Sequence, residues 1–115
     1  MPETRRDVDS LLPLTPTVFH VLLAVAGEPR HGYAIMQEVN ERSDGRVGIG
    51  PGTLYGAIRR MVEAGLLAEA DPPSGDDDPR RRYYRLTDLG RAAMGAEVER
   101  LKKLVAHGEA AVRKA

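Results

Sequence analysis

From Thr15 onward the chain alternates between apolar segments of helical period and short polar breaks. Thr15-Pro16 sets a hydroxyl cap before a proline at the first helical position, where a missing N–H costs nothing. The run "TVFHVLLAVAG" is apolar on nearly every side, which predicts a buried helix closed by Gly27. "EPRHG" reads as a connector. In "GYAIMQEVNERS" the apolar positions Tyr33, Ile35, Met36 and Val39 predict a second, amphipathic helix. After the turn "DGRVGIG", Pro51 opens a third helix and Gly65 closes it. On that helix Leu54, Ile58, Met61, Val62 and Gly65 fall in one arc, and Gly52, Gly56, Arg59, Arg60 and Glu63 fall opposite. The two glycines therefore lie on the outward face, where the core asks for no side chain.

Beyond Gly65 the period changes. "LLAEA" reads as a strand, "DPPSGDDDP" as a polar loop, and "RRRYYRLT", with its β-favouring Tyr83, Tyr84, Leu86 and Thr87, as a second strand. Thr87-Asp88 caps a last helix that runs to near the end of the chain. Three helices, a β-hairpin and a long helix make a mainly α chain with a hairpin, the arrangement of a winged helix-turn-helix. The expected division is an arm over 1–14, frayed or loosely docked, the winged domain over 15–87 and a C-terminal dimerisation helix over 88–115. Leu11, Leu12 and Leu14 of the arm are free to pack, a second subunit being one partner.

Composition adds exclusions. The 115 residues suffice for one domain with a modest core. No run approaches the roughly 20 apolar residues of a membrane span, and the start lacks the apolar core of a secretory signal. Without cysteine there is no disulfide framework or thiolate metal site, and a cytoplasmic location is the expectation. No metal spacing links His20, His31 and His107, and His20 is expected to be a hydrogen-bonded core residue. "DDDP" lacks the alternating ligands of a calcium loop, and neither a phosphate-binding loop nor a nucleophile motif appears. No cofactor and no enzymatic activity are expected.

Charge matters through its distribution. Seventeen basic and 17 acidic residues cancel, yet Arg46, Arg59 and Arg60 occupy an acid-free stretch. Arg80, Arg81, Arg82 and Arg85 form a second such cluster just after Asp76, Asp77 and Asp78. Because salt screens charges beyond about 8–10 Å, local clusters on a neutral chain still make a basic face. Gly52 and Gly56 suit a helix whose backbone nears a duplex in the major groove. Thr53 and Tyr55 offer hydroxyls to phosphate near the helix N-terminus. Arg59 and Arg60 reach base edges or phosphates, and Arg80, Arg81 and Arg82 present charge from the wing. Strand alternation would set Arg80, Arg82 and Tyr84 on one side of the hairpin and Arg81, Tyr83 and Arg85 on the other.

The stretches "LTPTVFHVLLAVAGEPRHGYAIMQEV", "GPGTLYGAIRRMVEAGLL" and "RRRYYRLTDLGR" resemble the PadR family of bacterial transcriptional regulators over about residues 11–105. The resemblance implies a dimeric winged helix-turn-helix repressor on double-stranded DNA, often answering to small aromatic or drug-like effectors. It places Tyr33, Thr53, Tyr55 and Arg59 at the DNA face, with Arg81 or Arg82 on the wing. Two departures limit it. The wing tip "SGDDD" carries acids that repel phosphate, and no tryptophan is available for the sandwich site of multidrug-sensing relatives.

The last helix shows two stripes. Leu89, Ala92, Ala93 and Ala96 suit close packing on the winged domain. Val98, Leu101, Val105, Gly108 and Val112, with Leu104 beside them, follow a short coiled-coil spacing and predict a homodimer. A second reading, a winged-helix adaptor whose basic face meets an acidic protein, has the same composition.

Overall fold

The computed structural model describes residues 8–46, 48–75 and 78–115. Residues 8–11 are helical, and Thr15 then caps α1 (Pro16–Val25), its Oγ1 accepting the Val18 N–H at 3.2 Å. A two-residue strand β1 (Arg30–His31) leads into α2 (Gly32–Arg42), followed by α3 (Pro51–Glu63). β2 (Leu67–Ala70) and β3 (Tyr83–Leu86) precede the 27-residue α4 (Asp88–Lys114), about 40 Å long. The chain is thus mostly helical, with one small antiparallel sheet ordered β1-β3-β2.

The connector "EPRHG" is more than a connector. Arg30 pairs with Tyr84 and His31 with Tyr83, adding a strand to the expected hairpin. Two residues carry no readable alternation, so only the neighbouring β3 edge makes a strand of them. Arg30 is held besides by its Nε, which donates to the Ala24 carbonyl at 2.7 Å, and by ion pairs to Glu28 and Glu38. The end of α1 also departs from expectation. Its cap is Ala26, and Gly27 does not take a left-handed conformation, whereas Gly65 after α3 does, at φ +82°.

The core gathers Val21, Leu22 and Val25 of α1, Ile35 and Val39 of α2, Leu54, Ile58 and Met61 of α3, and Leu67 of β2. His20 Nδ1, expected to be hydrogen-bonded, is buried without a hydrogen-bond partner among the described residues. The described part of the N-terminal arm is docked: Val8 and Leu14 are buried, and Leu11 and Leu12 pack against the core. A polar tie explains this. Glu97 of α4 is buried, and its two carboxylate oxygens accept from Arg100 Nε at 2.6 Å and Nη2 at 2.9 Å. The same carboxylate takes the Leu14 backbone N–H. An acid at a helical position that faces its own domain must be paired, and here the pairing recruits the arm. The stripe that docks α4 is therefore Gly90, Ala93 and Glu97, while Ala92 is exposed and Leu89 and Ala96 are half-buried.

One junction sets where α4 starts. The Thr87 hydroxyl accepts the Gly90 N–H at 2.9 Å and donates to the Gly65 carbonyl at 2.5 Å. The Thr87 N–H donates to the Leu66 carbonyl at 3.3 Å. Gly90 lies so close to that carbonyl that a Cβ there would collide with it and with Leu86 Cδ1.

The Arg100 hydrogen bonds hold the Glu97 carboxyl below its ordinary value of 4.5, aided by Arg100 charge and Leu14 N–H and opposed by burial. A depressed folded pKa stabilises fully above the unfolded value and loses that contribution as pH falls through the folded value. The thermal midpoint should therefore drop as acid is added below about pH 4.5, and Glu97→Gln should flatten that part of the curve. Circular dichroism melts across the carboxylate range check it; parallel curves for the two proteins would count against the tie.

Candidate nucleic-acid interface

The turn between α2 and α3 is built to aim α3. Asp44, Gly45 and Gly48 all take positive φ, which lets the chain reverse tightly. Asn40 anchors it from inside: its carbonyl accepts from Gly45 N–H at 2.7 Å and its Oδ1 from Ile49 N–H at 3.4 Å, and Ile49 is buried. From that anchor α3 buries Leu54, Ala57, Ile58 and Met61. Gly52, Thr53, Tyr55, Arg59 and Arg60 are exposed on the opposite side, and Gly56 is half-buried. The N-cap, Gly50, supplies no side-chain hydrogen bond and Pro51 has no N–H, so the first amides of α3 keep their positive bias toward solvent.

The two glycines on the outward side of α3 differ from the buried Gly32. A Cβ on Gly52 would meet nothing within 4 Å, and one on Gly56 would lie 3.4 Å from Arg60 Nη1. Gly32, at the start of α2, is required by packing: a Cβ there would collide with the Tyr55 ring. His31 caps the same helix, its Nδ1 accepting the Ala34 N–H at 3.2 Å, and stacks edge-on against Tyr83 with ring centroids 5.3 Å apart. "HGY" thus opens α2 with a cap, a bare backbone for Tyr55 to cross, and the exposed Tyr33.

These elements close around two adjoining clefts. One, of about 320 Å³, is lined by Tyr33, Tyr55, Arg80, Arg81, Arg82 and Tyr84 among others. The second, of about 280 Å³, brings in Arg59 and Glu69 beside the shared Tyr55, Arg82 and Tyr84. The starts of α2 and α3 and the base of the wing therefore form one surface, with Arg60 on its flank outside both clefts. Burial, followed by the nearby Glu69 charge, pushes the Tyr84 phenol above its ordinary 10.0.

The three wing arginines are not strand residues, contrary to the alternation expected for them. Arg80 and Arg81 lie in a turn and Arg82 just precedes β3, whose alternation begins with buried Tyr83, half-buried Tyr84 and exposed Arg85. Asp78 accounts for the difference. Its Oδ1 accepts the Arg80 backbone N–H at 2.9 Å and Nε at 3.2 Å, and Arg81 Nε lies 3.9 Å from Oδ2. That local turn competes with the ladder. Arg82 Nη1 meets Glu69 Oε1 at 3.0 Å across the hairpin. Asp76 and Asp77 lie outside the described residues.

On α4 the second stripe is largely bare. Leu104, Val105 and Val112 are 56, 58 and 76% exposed, and Val98 and Leu101 are half-buried. A groove of about 780 Å³ separates the N-terminal segment from α4, with Val8, Leu12, Ala92, Ala96 and Leu104 along it.

Sequence reasoning missed Gly32, Glu69, Tyr84 and His31 as members of this surface. Gly32 had a local signal, a glycine placed directly after a capping histidine. Glu69 had none, since a polar residue at an exposed strand position is ordinary.

A helix-turn-helix with a wing on a small antiparallel sheet is the winged-helix class of DNA-binding domain. A profile of the Transcriptional regulator PadR-like family matches residues 21–96, and the chain belongs to that family. The transcriptional regulator Rv3488 of Mycobacterium tuberculosis is 33% identical over 85 residues, which are 74% of this chain and 75% of that one. A PadR family transcription regulator from Clostridium difficile R20291 superposes with a TM-score of 0.73 at 21% identity, over 85% of this chain and 99% of its own. The hsRosR-S4 complex, of the H. salinarum protein RosR, is similar at a TM-score of 0.64 and 26% identity, over 95% of this chain and 98% of that one. Among the described residues no helix is long and apolar enough to cross a membrane.

Gly32→Ala should cost about 1 kcal/mol by displacing the Tyr55 ring, and Tyr55→Ala should relieve that cost. Gly52→Ala should be neutral or stabilising by up to about 1 kcal/mol, because the site is open and alanine favours helix. Chemical denaturation of the variants checks both, and equal costs at the two glycines would contradict the packing described.

Proposed function

We propose that the chain is a homodimeric repressor that docks α3 in the major groove of a palindromic DNA site, with the wing on the flanking backbone. The observation that carries the reading is the joining of Tyr33, Tyr55, Arg59 and the wing arginines into one surface on a chain of zero net charge. In it Arg59 and Arg60 reach base edges or phosphates, and Thr53, Tyr33 and Tyr55 hydroxyls and the open amides of α3 take phosphate oxygens. Arg80, Arg81 and Arg82 meet the backbone beside the groove. Gly52 admits the duplex closely, since nothing in the protein itself needs its missing side chain.

Residues 15–87 serve as the DNA-binding unit and 88–115 as the dimerisation helix, and of the arm of 1–14 the described residues 8–14 pack beside it. Support for the dimer is the exposed apolar row Leu104, Val105 and Val112, continued by Val98 and Leu101, on a helix whose other side already docks on its own domain. Two-fold symmetry would set the two reading helices about 34 Å apart. A small aromatic effector, as the family resemblance implies, would fit the groove between the N-terminal segment and α4, whose volume lies within the range of about 300–1,000 Å³ usual for such sites. Its occupation would shift α4 and with it the spacing of the reading helices, releasing the DNA. Such a regulator works in the cytoplasm.

Selection of bound sequences from random duplexes tests the reading, and it should return an inverted repeat. Arg59→Ala should then weaken binding by about 1–3 kcal/mol, with relaxed preference at one position if it reads a base and a uniform loss if it meets phosphate. The native protein should lose affinity linearly in log salt with a slope of several. Failure to bind any duplex in this manner would instead favour an adaptor for an acidic protein.

Light scattering should return about twice the 12.6 kDa chain mass, and a Leu104→Glu, Val105→Glu double variant should return the single mass. A monomeric native protein at micromolar concentration would remove the dimer.

A further inference from the structure

We propose that Glu69 limits the DNA affinity of this protein, its carboxylate standing on Arg82 in the free chain where a backbone phosphate stands in the complex. The inference rests on the DNA-binding reading above and concerns a residue which that reading does not use.

Four observations support it. Glu69 Oε1 lies 3.0 Å from Arg82 Nη1, and both side chains are largely exposed, at 59 and 75%. The pair is therefore held by charge in water rather than by packing, and a phosphate oxygen offers the guanidinium the same partner. Glu69 is opposite Tyr84 in the β2–β3 register, so the carboxylate sits over the hairpin face that carries the shared cleft residue. It lines the same cleft as Arg59 and Tyr55, which places its charge within the surface that meets DNA and not behind it. Finally, Arg82 is tied to Glu69, whereas Arg80 is tied to an acid with another duty. Asp78 also holds the Arg80 backbone N–H and shapes the turn. Glu69 is an exposed strand residue whose described partner is Arg82.

In this arrangement a duplex gains the Arg82 contact only by displacing the carboxylate. The freed carboxylate is then left beside phosphates, where it draws in a cation. That uptake offsets part of the counterion release that drives association. Two consequences follow: lower affinity for every duplex, and a shallower dependence on salt.

The test compares the native protein, Glu69→Gln, Arg82→Ala and the double variant, by fluorescence anisotropy on a mixed-sequence duplex over a salt series. Glu69→Gln should bind about two- to fivefold more tightly, the range an exposed pair of this kind is worth. Its slope of log K against log salt should steepen by up to about one. In the Arg82→Ala background the gain should shrink to less than half, because the guanidinium that Glu69 withholds is gone. A Glu69→Gln protein that binds more weakly would show that the carboxylate positions Arg82 for DNA, and the proposal falls. An undiminished gain in the Arg82→Ala background would show plain repulsion of DNA, and the proposal again falls. Native protein that binds DNA while Glu69→Gln leaves affinity and slope unchanged sinks this inference alone; native protein that binds no duplex sinks the DNA reading and this inference with it.

Discussion

The Thr87 hydroxyl joins the end of α3 to the start of α4. It donates to the Gly65 carbonyl and accepts from Gly90, and the glycine lets the α4 backbone rest against the Leu66 carbonyl. Hydroxyls cap many helices, but this one caps α4 with one lone pair while its proton goes to the carbonyl of Gly65, just past the end of α3. Three backbone groups are paired in one place, the third being the Leu66 carbonyl that takes the Thr87 N–H. The end of α3 and the start of α4 are therefore tied at one point. If α4 carries the second subunit, any change in how it sits reaches α3 through this junction.

On the proposed DNA face the wing arginines stand in exposed ion pairs, which the proposed binding would exchange for phosphate. A chain with 17 charges of each sign cannot rely on a long-range field, and its wing arginines are already matched to Asp78 and Glu69. Exposed pairs of this type are worth little in water, so they open readily to a stronger multivalent partner. Contrast Glu97 with Arg100 and the Leu14 N–H, where burial makes the carboxylate an obligatory acceptor. Charge of the same kind is structural where it is buried and exchangeable where it is wet.

Burial also separates the glycines. Gly32 and Gly90 are demanded by neighbours inside the molecule, Tyr55 in one case and Leu66 in the other. Gly52 is demanded by nothing in the molecule. A Cβ there would meet nothing within 4 Å among the described residues, and Gly52 shares the exposed side of α3 with Arg59.

Much of this was present in the amino-acid order. Period and caps located α1 from Thr15-Pro16, α3 from Pro51 to its left-handed Gly65, and α4 from Thr87, since those signals act within one helical turn. The outward arc of α3 followed from its period alone. Tertiary structure decided the rest. β1 exists because Tyr83 and Tyr84 present an edge to Arg30 and His31, and Glu97 is tolerated in the interior because Arg100 and Leu14 meet it there. Arg80 and Arg81 left the strand because Asp78 offered a nearer partner, and Glu69 came to Arg82 across 13 residues of hairpin. Periodicity and capping are short-range and written in neighbouring letters, whereas a strand edge, a buried charge or a cross-hairpin pair depends on residues that only folding brings together.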